Sequence, residues 1–283
     1  MTRSYPESML TLCAVVLLLA QTTPAQVTPP AVPDPAALIK EVEAHQRQLD
    51  QIRENFTFHE IRETDTLDSK GGITNRSSDE REIFFVNRHR IGRLVKKDGK
   101  DLSPHDAQSE QEKTRKAVEK AIKEPLDRNS FREGGDLELS RILAVMNISN
   151  PRRVTINGRD TLAFDFTGDR HASAHGVALS AARKMSGTVW VDESDRQVAR
   201  LEATLDDNFR LGGGLLATVQ KGTFLRFEQA HVAQGLWFPS TSEVHVIARE
   251  LMVKGLRENI HIRDLDFRRF DVGVLQKTGE PHQ

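Results

Sequence analysis

The sequence predicts an α+β protein built on one antiparallel sheet. Three observations carry that expectation. Apolar and polar residues alternate with period two over long stretches, most of all from Asn150 onward. Turn signals punctuate the alternation: Ser69-Lys70-Gly71-Gly72, Asn157-Gly158 and Asp192-Glu193-Ser194-Asp195. Helical periodicity is confined to a few places, at 34–54, at 104–124 and after Gly134-Gly135.

The first segment reads as a targeting signal. Arg3 precedes an apolar run from Met9 to Ala20, and Thr23-Pro24-Ala25 follows as a small-residue cleavage site. Residues 1–25 are therefore expected to be a signal peptide, cut near Ala25. Cys13, the only cysteine, lies inside the run, and Leu12 before it is too large for a lipidation motif. The mature chain then has no disulfide, and its stability must come from a core. No later stretch is long and apolar enough for a membrane span.

Gln26 to Pro33 reads as a Pro-rich linker, and residues 34–272 as one domain. Asp34-Pro35 is an N-cap with proline at the first helical position. Leu38, Val42, Leu49, Ile52 and Phe56 follow at helical spacing. Phe56-Thr57-Phe58 opens a strand, Ile83 to Val86 ends the next, and Ile91 to Val95 starts a third. Residues 104–124 form a charged helical insertion with a thin apolar stripe at Val118 and Ile122. Glu112 with Lys116 and Glu119 with Lys123 are spaced for ion pairs. Such a helix belongs at the periphery. Asp136 can cap a further helix carrying Leu137, Leu139, Ile142, Leu143 and Met146.

Beyond it, Asn157-Gly158 marks a two-residue hairpin. Leu162, Phe164 and Phe166 share one strand face, as do Val189 with Val191 and Ala199 with Leu201, Ala203 and Leu205. A Gly/Ala/His segment at 168–183 interrupts the pattern. Later strands run through Thr223–Val232, Leu236–Ile247 and Leu256–Val272. In the last of these, Ile260 and Ile262 are out of phase with Leu265 and Phe267, so a β-bulge is expected near Arg263-Asp264. Residues 273–283 form a polar tail.

Composition excludes some functions. Basic and acidic residues number 40 and 41, for a net charge of -1, so no nucleic-acid partner is expected. The mature chain offers no cysteine nucleophile and no Gly-x-Ser-x-Gly elbow. Asp192 to Asp195 is too short for a calcium loop and lacks its glycine. His171 and His175, four apart, could share a metal on a helix, with His231, His245 or His261 as a third ligand. A polar loop or short exposed helix is the plainer reading. Leu211-Gly212-Gly213-Gly214-Leu215 opens no helix, so a bend at a sheet rim outweighs a phosphate loop. No metal, cofactor or catalytic residue is expected. The aromatic complement is 13 Phe and two Trp, and the only Tyr is Tyr5. Phe and branched aliphatics on one sheet face suit an apolar ligand or a plain core.

The order of elements carries a resemblance. Gly187-Thr188-Val189-Trp190-Val191-Asp192 turns into Val198-Ala199-Arg200-Leu201-Glu202, and Gly235-Leu236-Trp237-Phe238-Pro239 follows. This resembles the LolA/LolB-like superfamily, the periplasmic outer-membrane lipoprotein-sorting proteins and their relatives. The resemblance implies a strongly curved, unclosed antiparallel sheet, a half-barrel, with helices covering its concave face. It implies a periplasmic protein holding acyl chains of lipids or lipoproteins, with no catalysis. The charged helix at 104–124 is larger than that pattern needs. The expected apolar cavity is lined by Leu162, Phe164, Phe166, Val189, Val191, Leu201 and Leu205. The alternative is a non-catalytic module that binds another envelope protein or senses stress, its cavity filled by its own helices.

Overall fold

Asp34 caps the first helix by accepting a hydrogen bond from the Ala37 amide at 3.0 Å, and Pro35 occupies the first helical position. A computed structural model describes residues 34–124, 139–174, 176–233, 235–250 and 254–269. The expected signal peptide (1–25), linker (26–33) and tail (273–283), together with Asp136, Leu137 and His175, lie outside the described residues.

Helix α1 (Pro35–Arg53) leads into β1 (Phe56–Leu67), β2 (Ile73–Val86), β3 (His89–Lys97) and the short β4 (Lys100–Asp101). Helix α2 (Pro104–Lys123) and helix α3 (Leu139–Leu143) precede β5 (Met146–Ile156) and β6 (Arg159–Gly168). Helix α4 (Val177–Ala182) leads to β7 (Met185–Asp192) and β8 (Val198–Leu205). The last described elements are β9 (Phe209–Leu211), β10 (Ala217–Val219), β11 (Phe224–Ala233), β12 (Leu236–Glu250) and β13 (Lys254–Arg269).

One antiparallel sheet holds all the strands, in the order β4-β3-β2-β1-β13-β12-β11-β8-β7-β6-β5. β9 and β10 hang off β12. The two ends of this path, β4 and β5, do not pair, so the sheet is open rather than a barrel. Four α-helices accompany it among the described residues.

Register sorts the two faces. One cross-strand row reads Phe164, Val189, Leu201, Phe227, Ser242 and Ile262. A parallel row reads Ile148, Phe166, Gly187, Ala203, Leu225, Val244 and Ile260. Both belong to one apolar inner face. The opposite face is laced with ion pairs: Arg200 with Glu228 at 2.9 Å, Arg226 with Glu202 at 2.9 Å, and Arg76 with Asp65 at 2.6 Å. That division is the wet-face, dry-face alternation of an antiparallel sheet.

Several expectations shift in detail. Ile52 is 43% exposed, so the buried stripe of α1 ends at Leu49. Helix α3 stops at Leu143, and Met146 instead begins β5 by pairing with Gly168. The segment at 168–183 contains α4, whose Leu179 and Ala182 are buried against Ile142 and Val145. An extra residue at Ala199 lets both Val198 and Ala199 face inward. The bulge in β13 falls at Asp266 and Phe267, opposite Phe58, rather than at Arg263-Asp264. Asp266 has φ 58°, and Phe267 alone is redirected, to stack on Phe238 and lie beside Phe58. Leu265 stays on the outer parity opposite His59.

Candidate functional site

All seven residues expected to line the cavity share the inner face. Leu162, Phe164, Phe166, Val189, Val191, Leu201 and Leu205 are each 2% exposed or less. All of them except Leu205 pack in one cluster with Leu38, Ile39 and Val42 of α1 and with Leu139 and Leu143 of α3. The helices therefore fill the space over β6–β8. In this structure the seven are buried beneath those helices.

A polar latch holds the C-terminal end of α1. Arg53 donates to the Trp237 carbonyl at 3.0 Å and to the Gln229 side chain. Gln229, itself buried, donates to the Val198 carbonyl at 2.7 Å and faces Gln46 Oε1 at 3.4 Å. Gln46 is fully buried on the same helix face as Val42 and Leu49. A helix meant only as core would carry an aliphatic residue there, because burying an amide costs free energy unless it is hydrogen-bonded.

Farther along the same inner face, Leu225, Phe227, Val244 and Ile262 are only partly buried. They continue the two apolar rows beyond the helices, and Phe227 packs at the edge of the main cluster. Sequence reading passed over this strip because alternating Val and Leu on β11–β13 look like any half-buried strand. Only the register shows that they extend the Phe164 and Phe166 rows. At β1 the face turns polar, with Arg62 opposite Ile262 and Thr64 opposite Ile260.

The acidic tetrapeptide at 192–195 is a structural turn. Asp192 is 1% exposed and accepts from Arg159 at 2.6 and 2.9 Å and from the amides of Ser194 and Asp195 at 3.0 and 2.8 Å. Burial alone would raise its pKa. The Arg159 guanidinium and the two amides outweigh that and hold the carboxyl below its ordinary range.

Among the described residues the candidate histidines form no cluster. His171 sits in a turn where its amide bonds Asp169, while His231 lies against Asp195 at 3.3 Å. His245 meets Asn259, and His261 lies 3.9 Å from Glu243. Among the described residues no group of three His, Cys, Asp or Glu side chains is placed to hold a metal. Gly212–Gly214 forms a 3-10 turn between β9 and β10 at the sheet rim. No described helix is long and apolar enough to cross a membrane.

No family model matches the chain, and no curated protein matches it. Nine chains of solved structures are similar to it, among them the following two. One is named for an outer-membrane lipoprotein-sorting protein domain from Vibrio parahaemolyticus, at 11% identity and TM-score 0.35. That match covers 85% of this chain and 98% of the other. The second is a DUF1329 family protein from Desulfovibrio piger, at 11% identity and TM-score 0.33, covering 83% of this chain and 94% of the other.

Proposed function

We propose that the protein is an exported, non-catalytic binder of acyl chains from lipids or lipoproteins, working in the periplasm on the inner face of its open sheet. The observation that carries this reading is the continuity of the apolar rows past the helices. Leu225, Phe227, Val244 and Ile262 offer a partly open surface that joins the face held under α1, with Ser242 between Phe227 and Ile262. An acyl chain gains about 0.8 kcal/mol per buried methylene, so a strip of this kind suits it. Leu162, Phe164, Phe166, Val189, Val191, Leu201 and Leu205 join the site when α1 shifts. The buried Gln46–Gln229 contact marks where that helix can part from the sheet at lower cost than a wholly apolar seam.

The second reading is a closed envelope module that binds or senses another protein. The latch of Arg53 on Gln229 and Trp237 favours it, since it ties α1 down. Native mass spectrometry of protein gently extracted from the envelope separates the two. Co-purified acyl species support the first reading. Protein that carries none, and takes up none from added fatty acid, supports the second.

A further inference from the structure

The β9–β10 excursion carries two features that the core does not explain. Leu215 and Leu216 are 64% and 65% exposed, adjacent, and at the tip of the excursion. Gly212, Gly213 and Gly214 all have positive φ, at 56°, 68° and 97°, which lets the chain fold back tightly and present both leucines outward. The turn is closed by the Leu215 amide on the Gly212 carbonyl at 3.2 Å and the Leu216 amide on Leu211 at 3.3 Å.

Directly behind the tip lies a basic row. Thr218 is opposite Arg210 on one side and Arg249 on the other. The two arginines line a cleft of about 460 Å³ with Asn208, Gln220 and the backbone of Gly213 and Gly214. Lys184 and Lys221 line the next hollow, with Asp207, Asn208, Phe209 and Arg210. Asp207 is engaged by Arg170. Neither Arg210 nor Arg249 has a carboxylate partner among the described residues, although arginines elsewhere on that face, such as Arg200 and Arg226, are paired.

We propose that this tip docks the protein on an anionic bilayer surface, independently of any acyl chain on the inner face. Leu215 and Leu216 enter the interfacial layer, and Arg210 and Arg249 take lipid phosphates just above it. An exposed apolar tip backed by two arginines without carboxylate partners among the described residues matches a fluid surface that deforms around it, with negative charge at headgroup depth. A protein partner would have to supply a matching hollow lined with carboxylates.

The test is co-sedimentation of the whole mature protein with phosphatidylethanolamine vesicles containing phosphatidylglycerol, against vesicles of phosphatidylcholine alone. Wild type is expected to pellet with the anionic vesicles and to be released by salt. Leu215→Ser with Leu216→Ser should weaken binding at least about tenfold while melting like wild type, because exposed leucines add little to folding. Arg210→Gln and Arg249→Gln should each cost about fivefold on anionic vesicles only. Phe227→Glu, on the inner face, should still pellet. Wild type left in the supernatant, or leucine variants that pellet unchanged, would overturn the proposal. So would light scattering that showed a dimer lost with the leucines, since the tip would then meet a second copy.

Discussion

The indole of Trp237 donates to Asp195 at 2.9 Å, across 42 residues of sequence. The same Asp195 oxygen takes Arg159 at 3.1 Å, so one carboxylate ties the β7–β8 turn to β6 and to β12. His231 packs edge-on against the Trp237 ring, and Arg159 lies over it at 5.5 Å. The turn is therefore a clamp at one end of the sheet. Trp237→Phe keeps the packing and removes the donor. It should lower stability by about 1–2 kcal/mol in urea melts. A double-mutant cycle with Asp195→Asn should show positive coupling between the two sites, and strict additivity would remove the clamp from the account.

Acid should loosen the same clamp through Asp192. Its folded pKa is held below the unfolded value, so its contribution is full above about pH 4 and fades as pH falls through the folded pKa. Asp192→Ala should cost about 3 kcal/mol at neutral pH, the low end for a broken buried pair, because Arg159 remains a third exposed. Its melting temperature should then fall less than that of wild type between pH 4 and pH 2. Parallel acid limbs in the two proteins would contradict this.

Gly187 is fixed by close approach. A Cβ added there would lie 1.9 Å from the Glu202 carbonyl oxygen. Gly187→Ala should therefore destabilise by at least about 3 kcal/mol, with strands β7 and β8 forced apart. A urea midpoint near that of wild type would show that the sheet relaxes there at little cost.

Helix α2 covers the edge of the sheet rather than its core. Ala121 is buried, Ile122 is 59% exposed, and Glu110 accepts the Leu94 amide at 3.0 Å, capping a donor of strand β3. Arg115 bonds both Glu112 and Glu119, and its hydrogen bond to Glu112 helps push that carboxyl down to about 2. Exposed pairs of this kind add only about 0.3–0.5 kcal/mol each. Amides in the middle of α2 should exchange much faster than those of β7 and β8, and equal protection would place α2 in the cooperative core.

Local signals were legible in the sequence. Asp34-Pro35 starts α1, and Asn157-Gly158, with φ 50° and 77°, makes the expected two-residue hairpin between β5 and β6. Asp192 to Asp195 makes the expected turn, but its ties to Arg159 and Trp237 depend on strand order, which no local window contains. Helix α4 went unread because six residues with two buried apolar side chains leave almost no periodicity. The β13 bulge was placed too early because Phe267 is drawn inward by Phe58 and Phe238, which lie on other strands. The seven inner-face residues were read correctly as one surface. That α1 and α3 close over them, while Leu225, Phe227, Val244 and Ile262 stay partly open, follows from packing alone.

Titration of the mature protein with a fluorescent long-chain fatty acid tests the inner face most directly, comparing wild type with Phe227→Glu and Phe164→Glu. Phe164 is fully buried under α1, so a carboxylate there should unfold the protein. Phe227 lies at the margin, so Phe227→Glu should stay folded by circular dichroism and lose the probe. Wild type that never binds the probe, or a folded Phe227→Glu that binds it as wild type does, would contradict the account and leave the sheet as a closed scaffold.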